Sequence, residues 1–198
     1  MFRITRLLLF VILLGTWPVL ASAQPVSVKV GEDPPATTGK DLLGEEFSLS
    51  DYKDKIVMVY FWGDWCGPCK AMNPQCHALA KHLPEEAFVL IGVNSDRSDR
   101  EIEKINNQEL INWRSFANGG PKGGIAQQWG VRGWPTIVIL DTEGKVKFVN
   151  PGRGKKLNQV LAEMLEDSSL IMGVEEIFEE VKATTQELKQ KKTGKGDR

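Results

Sequence analysis

Residues 62–70, with the sequence WGDWCGPCK, decide both the fold and the chemistry of this chain. The apolar run at residues 56–61 predicts a buried strand before them, and the spacing of apolar residues over 70–83 predicts an amphipathic helix after them. Helix N-termini carry unpaired N–H groups and a partial positive charge, which stabilise a thiolate. Cys66 is therefore expected to be a reactive thiol. Cys69, about one helical turn later, is placed to close a disulfide with it.

The composition is that of an ordinary globular protein. The chain has 198 residues, 41% of them hydrophobic and 26% charged, which fits one domain with short extensions. The formal net charge is −1 and no basic block lies among aromatic residues, so no nucleic-acid partner is expected. Three cysteines are too few for a disulfide scaffold, and the spacing of Cys and His residues does not match common zinc sites. We therefore expect neither a metal nor another cofactor.

The first 23 residues have the pattern of a secretory signal peptide. Arg3 and Arg6 precede an apolar run at residues 7–14, and residues 21–23 (Ala-Ser-Ala) form a small-residue cleavage site. The stretch from residue 7 to residue 20 is shorter than the roughly 20 residues that a membrane-spanning helix needs. An uncleaved anchor is the alternative. In either case we expect the domain to lie outside the cytoplasm, in the periplasm or secreted, where disulfides persist.

Hydrophobic patterning and turn residues predict a mixed α/β fold. Strands are predicted at residues 26–30, 56–61, 88–93, 112–116, 136–140 and 145–149. Helices are predicted at residues 70–83, 98–110, 125–129, 155–166 and 170–188. A hairpin with its turn near Gly44 is expected before the dithiol. This order implies a mixed central sheet flanked by helices on both faces, with an N-terminal hairpin and a central insertion of a helix and a strand.

The chain divides into three predicted segments. Residues 1–23 form the signal peptide, residues 24–167 the α/β domain, and residues 168–198 a C-terminal amphipathic helix with a basic tail. The tail is expected to be disordered from Lys191 onward. The last helix could dock a partner, but packing on its own domain is the favoured interpretation.

Three features make residues 36–166 resemble the thioredoxin superfamily, and within it the extracytoplasmic TlpA-like family. They are the WCGPC motif after a buried strand, the GWPT segment at residues 133–136, and the insertion that lies between the second central strand and that segment. The resemblance implies a thioredoxin fold and thiol–disulfide exchange through Cys66 and Cys69.

The resemblance also implies a role for each residue of the motif. Cys66 would attack a substrate disulfide and form a mixed disulfide, and the shielded Cys69 would resolve it. Gly67 and Pro68 separate the two thiols, and Pro68 would tune the reduction potential by restricting the loop. Trp65 would shield the site.

In this family a cis-proline faces the dithiol, and Pro135 is the matching residue. Trp134 would present its backbone to the substrate strand. The chain departs from the family pattern at two positions. Tyr60 stands where an acid often lies beneath the resolving cysteine, and Met72 where many relatives carry Glu. Proton transfer is therefore expected to involve water or Tyr60, because the nearest acid in sequence, Asp64, is expected to be exposed.

The leading hypothesis is a thiol–disulfide oxidoreductase that acts on extracytoplasmic proteins. The Gly-Pro spacer resembles that of reducing thioredoxins, so a reductant is expected, with apocytochrome c among its candidate substrates and a membrane thiol as electron donor. The protein is expected to be a monomer. One alternative is a peroxiredoxin-like peroxidase, although the Thr-x-x-Cys segment of such enzymes is absent. The other is a non-catalytic binding module, which the two intact cysteines disfavour.

Residues elsewhere on the dithiol helix and near its loops have simpler interpretations. Cys76 lies about two helical turns, roughly 10 Å, beyond the second motif cysteine, so it is expected to be a buried core residue and not a third redox thiol. His77 and His82 are expected on the helix surface. Trp113 and Trp129 are expected in the core because of their size.

Overall fold

The computed structural model describes residues 28–106, 108–151, 157–167 and 174–194. The predicted signal peptide lies outside these residues. Of the strand predicted at residues 26–30, the described part, residues 28–30, is not a strand. The chain turns there at Gly31, which has a φ of 90° and whose N–H donates to the carbonyl of Val146 at 2.8 Å.

Seven strands and five helices form the described part of the chain. The strands are β1 (Thr38–Lys40), β2 (Glu46–Ser48), β3 (Ile56–Trp62), β4 (Phe88–Asn94), β5 (Ser115–Ala117), β6 (Thr136–Leu140) and β7 (Val146–Pro151). The helices are α1 (Gly67–His82), α2 (Asp99–Asn106), α3 (Gly124–Gln128), α4 (Leu157–Asp167) and α5 (Val174–Gly194). A 3₁₀ turn at Leu49–Tyr52 follows β2.

The central sheet has the strand order β5-β4-β3-β6-β7. β3 is parallel to β4 and β4 to β5, whereas β6 and β7 add as antiparallel strands. The hairpin β1–β2 precedes it as a separate two-stranded sheet, with Gly44 in the turn at a φ of 91°. This is the thioredoxin-type mixed sheet that the order of elements predicts, including the N-terminal hairpin and the α2–β5 insertion.

Helices or the hairpin cover both faces of the sheet. Side chains alternate along each strand, so neighbouring residues of β3 lie in different cores. Met58 and Tyr60 of β3 lie in a core shared with α1, α4 and α5. Val59 and Phe61 lie in a second core with the hairpin and α3. β3 is buried along its whole length, which explains why its sequence lacks polar alternation.

The start of α1 and the end of α2 differ from the predicted boundaries. α1 begins at Gly67, three residues earlier than predicted, because the side chain of Cys66 caps it and proline is favoured in a first helical turn. α2 ends at Asn106 and not near Leu110. Tighter backbone bonds take over after it, since the N–H of Gln108 donates to the carbonyl of Ile105 at 2.9 Å.

The prediction of a disordered tail from residue 191 is wrong for its first four residues. α5 continues to Gly194, and Lys191 forms an ion pair with Glu187 one turn before it, which favours the helix. Residues 195–198 lie outside the described residues. Phe178 and Val181 of α5 are buried in the core shared with α1 and α4, so α5 packs on its own domain. No helix in the described ranges is both long enough and apolar enough to cross a membrane.

Candidate active site

The structure joins Cys66 and Cys69 by a disulfide, with their Cα atoms 5.2 Å apart. Cys66 is the N-cap residue of α1, and its Sγ accepts a hydrogen bond from the N–H of Cys69 at 3.1 Å. The sulfur of Cys66 therefore lies against the positive end of the helix, as the sequence predicts. Both cysteines are buried, and of the two only Cys66, which is 4% exposed, keeps any contact with solvent.

The spacer residues Gly67 and Pro68 form the first turn of α1. The missing N–H of a proline costs nothing there, because the first N–H groups of a helix have no partner within the helix. Pro68 also holds the backbone near helical angles, which keeps the two cysteines one turn apart.

The GWPT segment lies at the same end of the sheet as the dithiol. The antiparallel register pairs Phe61 with Thr136, so Pro135 lies beside the end of β3, where the dithiol loop begins. The peptide bond between Trp134 and Pro135 is cis, as the resemblance implied. The Thr136 hydroxyl donates to the carbonyl of Gly133 at 2.8 Å and closes the turn before the strand.

Two tryptophan side chains lie next to the disulfide. The rings of Trp65 and Trp134 meet edge to face, with centroids 5.6 Å apart. Trp65 is 49% exposed, so it forms part of the surface at the start of the dithiol motif. Trp134 is half-buried and packs against both cores of the sheet.

Tyr60 is buried beneath the first turn of α1. Its hydroxyl donates to the side-chain oxygen of Asn73 at 3.1 Å and lies 3.3 Å from the carbonyl oxygen of Cys69. Burial, with a smaller contribution from nearby Cys76, raises the pKa of the Tyr60 hydroxyl far above its usual value. The Tyr60 hydroxyl is therefore held in its protonated form, and its contacts connect β3 to the start of α1.

Asp64 is not exposed, contrary to the expectation from sequence. Its side chain is 16% exposed and pairs with Lys104 of α2 at 3.0 Å and with Lys70 of α1 at 3.4 Å. Burial would raise the pKa of Asp64, but the hydrogen bonds and positive charges of the two lysines outweigh it and lower the pKa. A cavity of about 690 Å³ opens beside this cluster, between α1, α2 and the last turns of α5.

The sequence pattern alone does not single out the polar residues at the end of β4. Asn94, Ser95 and Asp96 are all buried. Both carboxylate oxygens of Asp96 accept the N–H of Asp64, at 2.9 and 3.2 Å, and the Asn94 amide donates to Asp96 at 2.7 Å. These residues hold the loop that leads to the dithiol. The sequence contains only a weak signal for them, which is a run of three polar residues at the end of a buried strand.

The helix residues beyond the motif are more enclosed than expected. Cys76 is fully buried, and burial raises the pKa of its thiol, which confirms the core prediction. His77 and His82 are half-buried, so their surface assignment is wrong. The His77 ring contacts the carbonyl of Leu110 at 3.1 Å. His82 lies between the side chains of Glu180 and Thr184 of α5, which covers this face of α1.

Two tryptophans and Met72 were also considered from the sequence. Trp113 and Trp129 are buried, as expected. Met72, which stands where many relatives carry Glu, packs against the core shared with α1. Within the described ranges, no cluster of three or more His, Cys, Asp or Glu residues could hold a metal ion.

A cysteine pair at the N-terminus of a helix, with the first cysteine slightly exposed and the second completely buried, is suited to reversible thiol–disulfide exchange. The fold and this pair define a thioredoxin-like oxidoreductase. The AhpC/TSA family model matches residues 30–149, and the chain belongs to that family. It is a thiol-disulfide oxidoreductase of the thioredoxin-like kind, and such enzymes act on proteins that contain disulfides.

Relatives with known names support this assignment. The chain is 28% identical over 139 residues to the thiol-disulfide oxidoreductase ResA of Bacillus thuringiensis subsp. konkukian, a match that covers 70% of this chain and 78% of ResA. Among solved structures, it is similar to the thioredoxin domain of a thiol-disulfide oxidoreductase from Bacteroides vulgatus, with 27% identity and a TM-score of 0.62 over 70% of this chain and 99% of that domain. It also resembles the pneumococcal exposed lipoprotein thioredoxin of Streptococcus pneumoniae, with 27% identity and a TM-score of 0.54 over 67% of this chain and 98% of that one.

Proposed function

We propose that the protein is an exported reductant that passes two electrons from its Cys66–Cys69 dithiol to disulfides in other proteins. The observation that carries this proposal is the difference between the two cysteines. Cys66, at the N-terminus of α1, keeps a small exposed area, whereas Cys69 is completely buried. In the reduced protein, a thiolate on Cys66 keeps the helix end and the Cys69 N–H as stabilising partners, which favours it as the attacking group.

The reaction proceeds in two successive thiol–disulfide exchanges. The Cys66 thiolate attacks one sulfur of the substrate disulfide, forms a mixed disulfide and releases the other sulfur as a thiolate. Cys69 then loses its proton and attacks the Sγ of Cys66, which releases the second substrate thiol. The substrate gains two electrons from the pair and two protons, one from Cys69 and one from solvent, and the Cys66–Cys69 disulfide forms. A membrane thiol donor returns two electrons and two protons to the pair.

Three observations support the location and direction of this reaction. The first 23 residues have the pattern of a signal peptide. The described domain is similar to the pneumococcal exposed lipoprotein thioredoxin. The Gly67-Pro68 spacer resembles that of reducing thioredoxins. We include apocytochrome c during haem attachment among the substrates to test, and we propose that the protein acts as a monomer.

The direction is tested by the midpoint potential and by insulin reduction. We expect a potential closer to the roughly −270 mV of thioredoxin than to the roughly −120 mV of a strong oxidant. We also expect the reduced protein to precipitate insulin chains. A potential near the oxidant value would contradict the proposed direction. Turnover of hydrogen peroxide faster than of protein disulfides would favour the peroxidase alternative instead.

The roles of the cysteines are tested by trapping. Cys69→Ser should accumulate a mixed disulfide with substrate on Cys66, and Cys66→Ser should capture nothing. Cys76→Ala is the matched control, because it removes a buried thiol outside the motif and should keep wild-type activity. Equal trapping by the two motif variants would contradict the assignment of the attacking thiol.

A further inference from the structure

One buried serine holds both tryptophans beside the disulfide. The indole N–H of Trp65 donates to the backbone carbonyl of Ser95 at 3.1 Å. The indole N–H of Trp134 donates to the side-chain hydroxyl oxygen of the same residue, also at 3.1 Å. Trp65 directly precedes Cys66, and Trp134 directly precedes Pro135. Ser95 therefore links the two segments that flank the redox centre.

Ser95 is itself held in place from two sides. Its N–H donates to the carbonyl of Trp62 at 2.8 Å, which fixes it to the end of β3. The side-chain amide of Asn118 donates to its hydroxyl oxygen at 3.3 Å and to the carbonyl of Gly120 at 2.6 Å. Since Ser95 is completely buried, these bonds are protected from competition with water. The two indoles are thus attached to a fixed point.

Because Gly63 has no side chain, the Trp65 ring can reach the carbonyl of Ser95. A Cβ atom at position 63 would lie 2.5 Å from the indole nitrogen of Trp65 and 2.9 Å from its ring carbon Cε2. Both distances are shorter than van der Waals contact, so any side chain at this position would push the ring away from the Ser95 carbonyl. The glycine is therefore part of the same arrangement.

We propose that Ser95 is a positioning residue that holds Trp65 and Trp134 as one apolar platform for the substrate segment bound through Cys66. This inference rests on the proposed function. A substrate joined to Cys66 lies next to Trp65, the preceding residue in the chain, whose side chain is 49% exposed. Rigid aromatic faces bind apolar and aromatic side chains at little cost in conformational entropy. The platform thus favours protein disulfides with an apolar or aromatic residue next to the attacked cysteine.

The test compares a protein disulfide with a small one. Ser95→Ala removes the hydroxyl that Trp134 donates to and leaves the backbone carbonyl in place. We expect kcat/KM for a peptide disulfide with a neighbouring Phe to fall about threefold to tenfold, mostly through KM, because a buried hydrogen bond is lost. We expect the rate with hydroxyethyl disulfide, and the midpoint potential, to stay at the wild-type values.

Ser115→Ala is the matched control. Its buried hydroxyl also accepts an indole N–H, that of Trp62 at 3.3 Å, but Trp62 is enclosed in the core. This variant should keep the wild-type KM for both substrates. An unchanged KM in Ser95→Ala, or an equal loss with both substrates, would overturn the inference. Wild-type protein that reduces neither substrate would instead contradict the proposed function.

A second variant keeps the inference testable if Ser95→Ala does not fold. Gly63→Ala should displace the Trp65 ring and cause the same selective rise in KM. Gly124→Ala is its control, because a Cβ there meets no atom within 4 Å and the residue begins α3. Gly63→Ala with wild-type KM for the Phe-containing peptide would count against the platform.

Discussion

The hydroxyl of Tyr60 donates a hydrogen bond to the side-chain oxygen of Asn73 at 3.1 Å, in the core beneath the dithiol. The carbonyl of Cys69 lies on the other side of the same hydroxyl, at 3.3 Å. Tyr60 belongs to β3 and Asn73 to α1, so this contact connects the strand and the helix whose junction carries the two cysteines. A tyrosine thus occupies the place of the expected acid, and it contributes hydrogen bonding without a charge.

Tyr60→Phe should destabilise the protein and leave its pH dependence unchanged. It leaves the buried oxygen of Asn73 without its donor, which should lower the free energy of unfolding by about 1–3 kcal/mol. The pKa of the hydroxyl is raised by burial, so the group is neutral throughout the working pH range and its loss should not move the pH–rate profile. Urea unfolding and single-turnover rates between pH 5 and pH 9 measure the two effects.

Asn73→Ala and the double variant complete a double-mutant cycle for this contact. The double variant should lose less unfolding free energy than the sum of the losses in the two single variants, because either change removes the same hydrogen bond. A displaced inflection in the pH–rate profile of Tyr60→Phe would restore tyrosine to the proton-transfer step.

Asp64→Asn should cost stability at neutral pH but not at low pH. The folded pKa of Asp64 lies below its ordinary value of 3.8, because the hydrogen bonds and charges of Lys104 and Lys70 outweigh the effect of burial. The stabilisation from these ion pairs is therefore fully present above pH 3.8 and is lost as the pH falls through the folded pKa. We expect a loss of about 0.5–1 kcal/mol in urea unfolding at pH 7, and convergence on the wild type under strongly acidic conditions.

Asp33→Asn is the control for this prediction. Asp33 pairs with Lys145 at the same 3.0 Å, but its side chain is 80% exposed, so the change should have almost no effect. Equal losses in the two variants, or a difference from the wild type that persists at low pH, would contradict the role assigned to the Asp64 cluster.

Phe178→Ala should loosen α5 from the domain. Phe178 is buried in the core shared with α1 and α4, and removing a buried Phe side chain typically costs about 3–5 kcal/mol. The exposed Glu176 on the same helix provides the matched change, and Glu176→Ala should stay within about 0.5 kcal/mol of the wild type. Urea unfolding and limited proteolysis would separate the variants, and similar stabilities would mean that α5 adds little to the fold.

The thiol of Cys76 should be unreactive in the folded protein. Its thiol is completely buried and burial raises its pKa, so almost no thiolate forms near pH 8. The oxidised protein should therefore yield no reactive thiol to an aromatic disulfide reagent when native and one when denatured. Rapid labelling of the native oxidised protein would contradict the burial of Cys76, and Cys76→Ala should remove the thiol seen after denaturation.

The parts of the fold with the strongest local patterns were predictable. β3, β4 and β6 are predicted to within one residue, because strands covered on both faces appear in sequence as continuous apolar runs. The ends of the helices were less predictable. The start of α1 depends on a cap supplied by a cysteine side chain, and the end of α5 depends on its ion pair and on its packing against α1.

The residues of the site also divide into those that the sequence predicts and those that only the folded structure brings together. Periodicity and motif spacing, which are local properties, were enough to place Cys66 and Cys69 at the junction of a strand and a helix, and the resemblance to the thioredoxin superfamily identified Pro135 as their neighbour. The surroundings of that pair depend on residues distant in sequence. Asp64 meets Lys104 and Trp134 meets Ser95 because the order of the strands and the packing of the helices bring these segments together. No local spacing encodes such contacts, so only the tertiary structure decided which groups surround the dithiol.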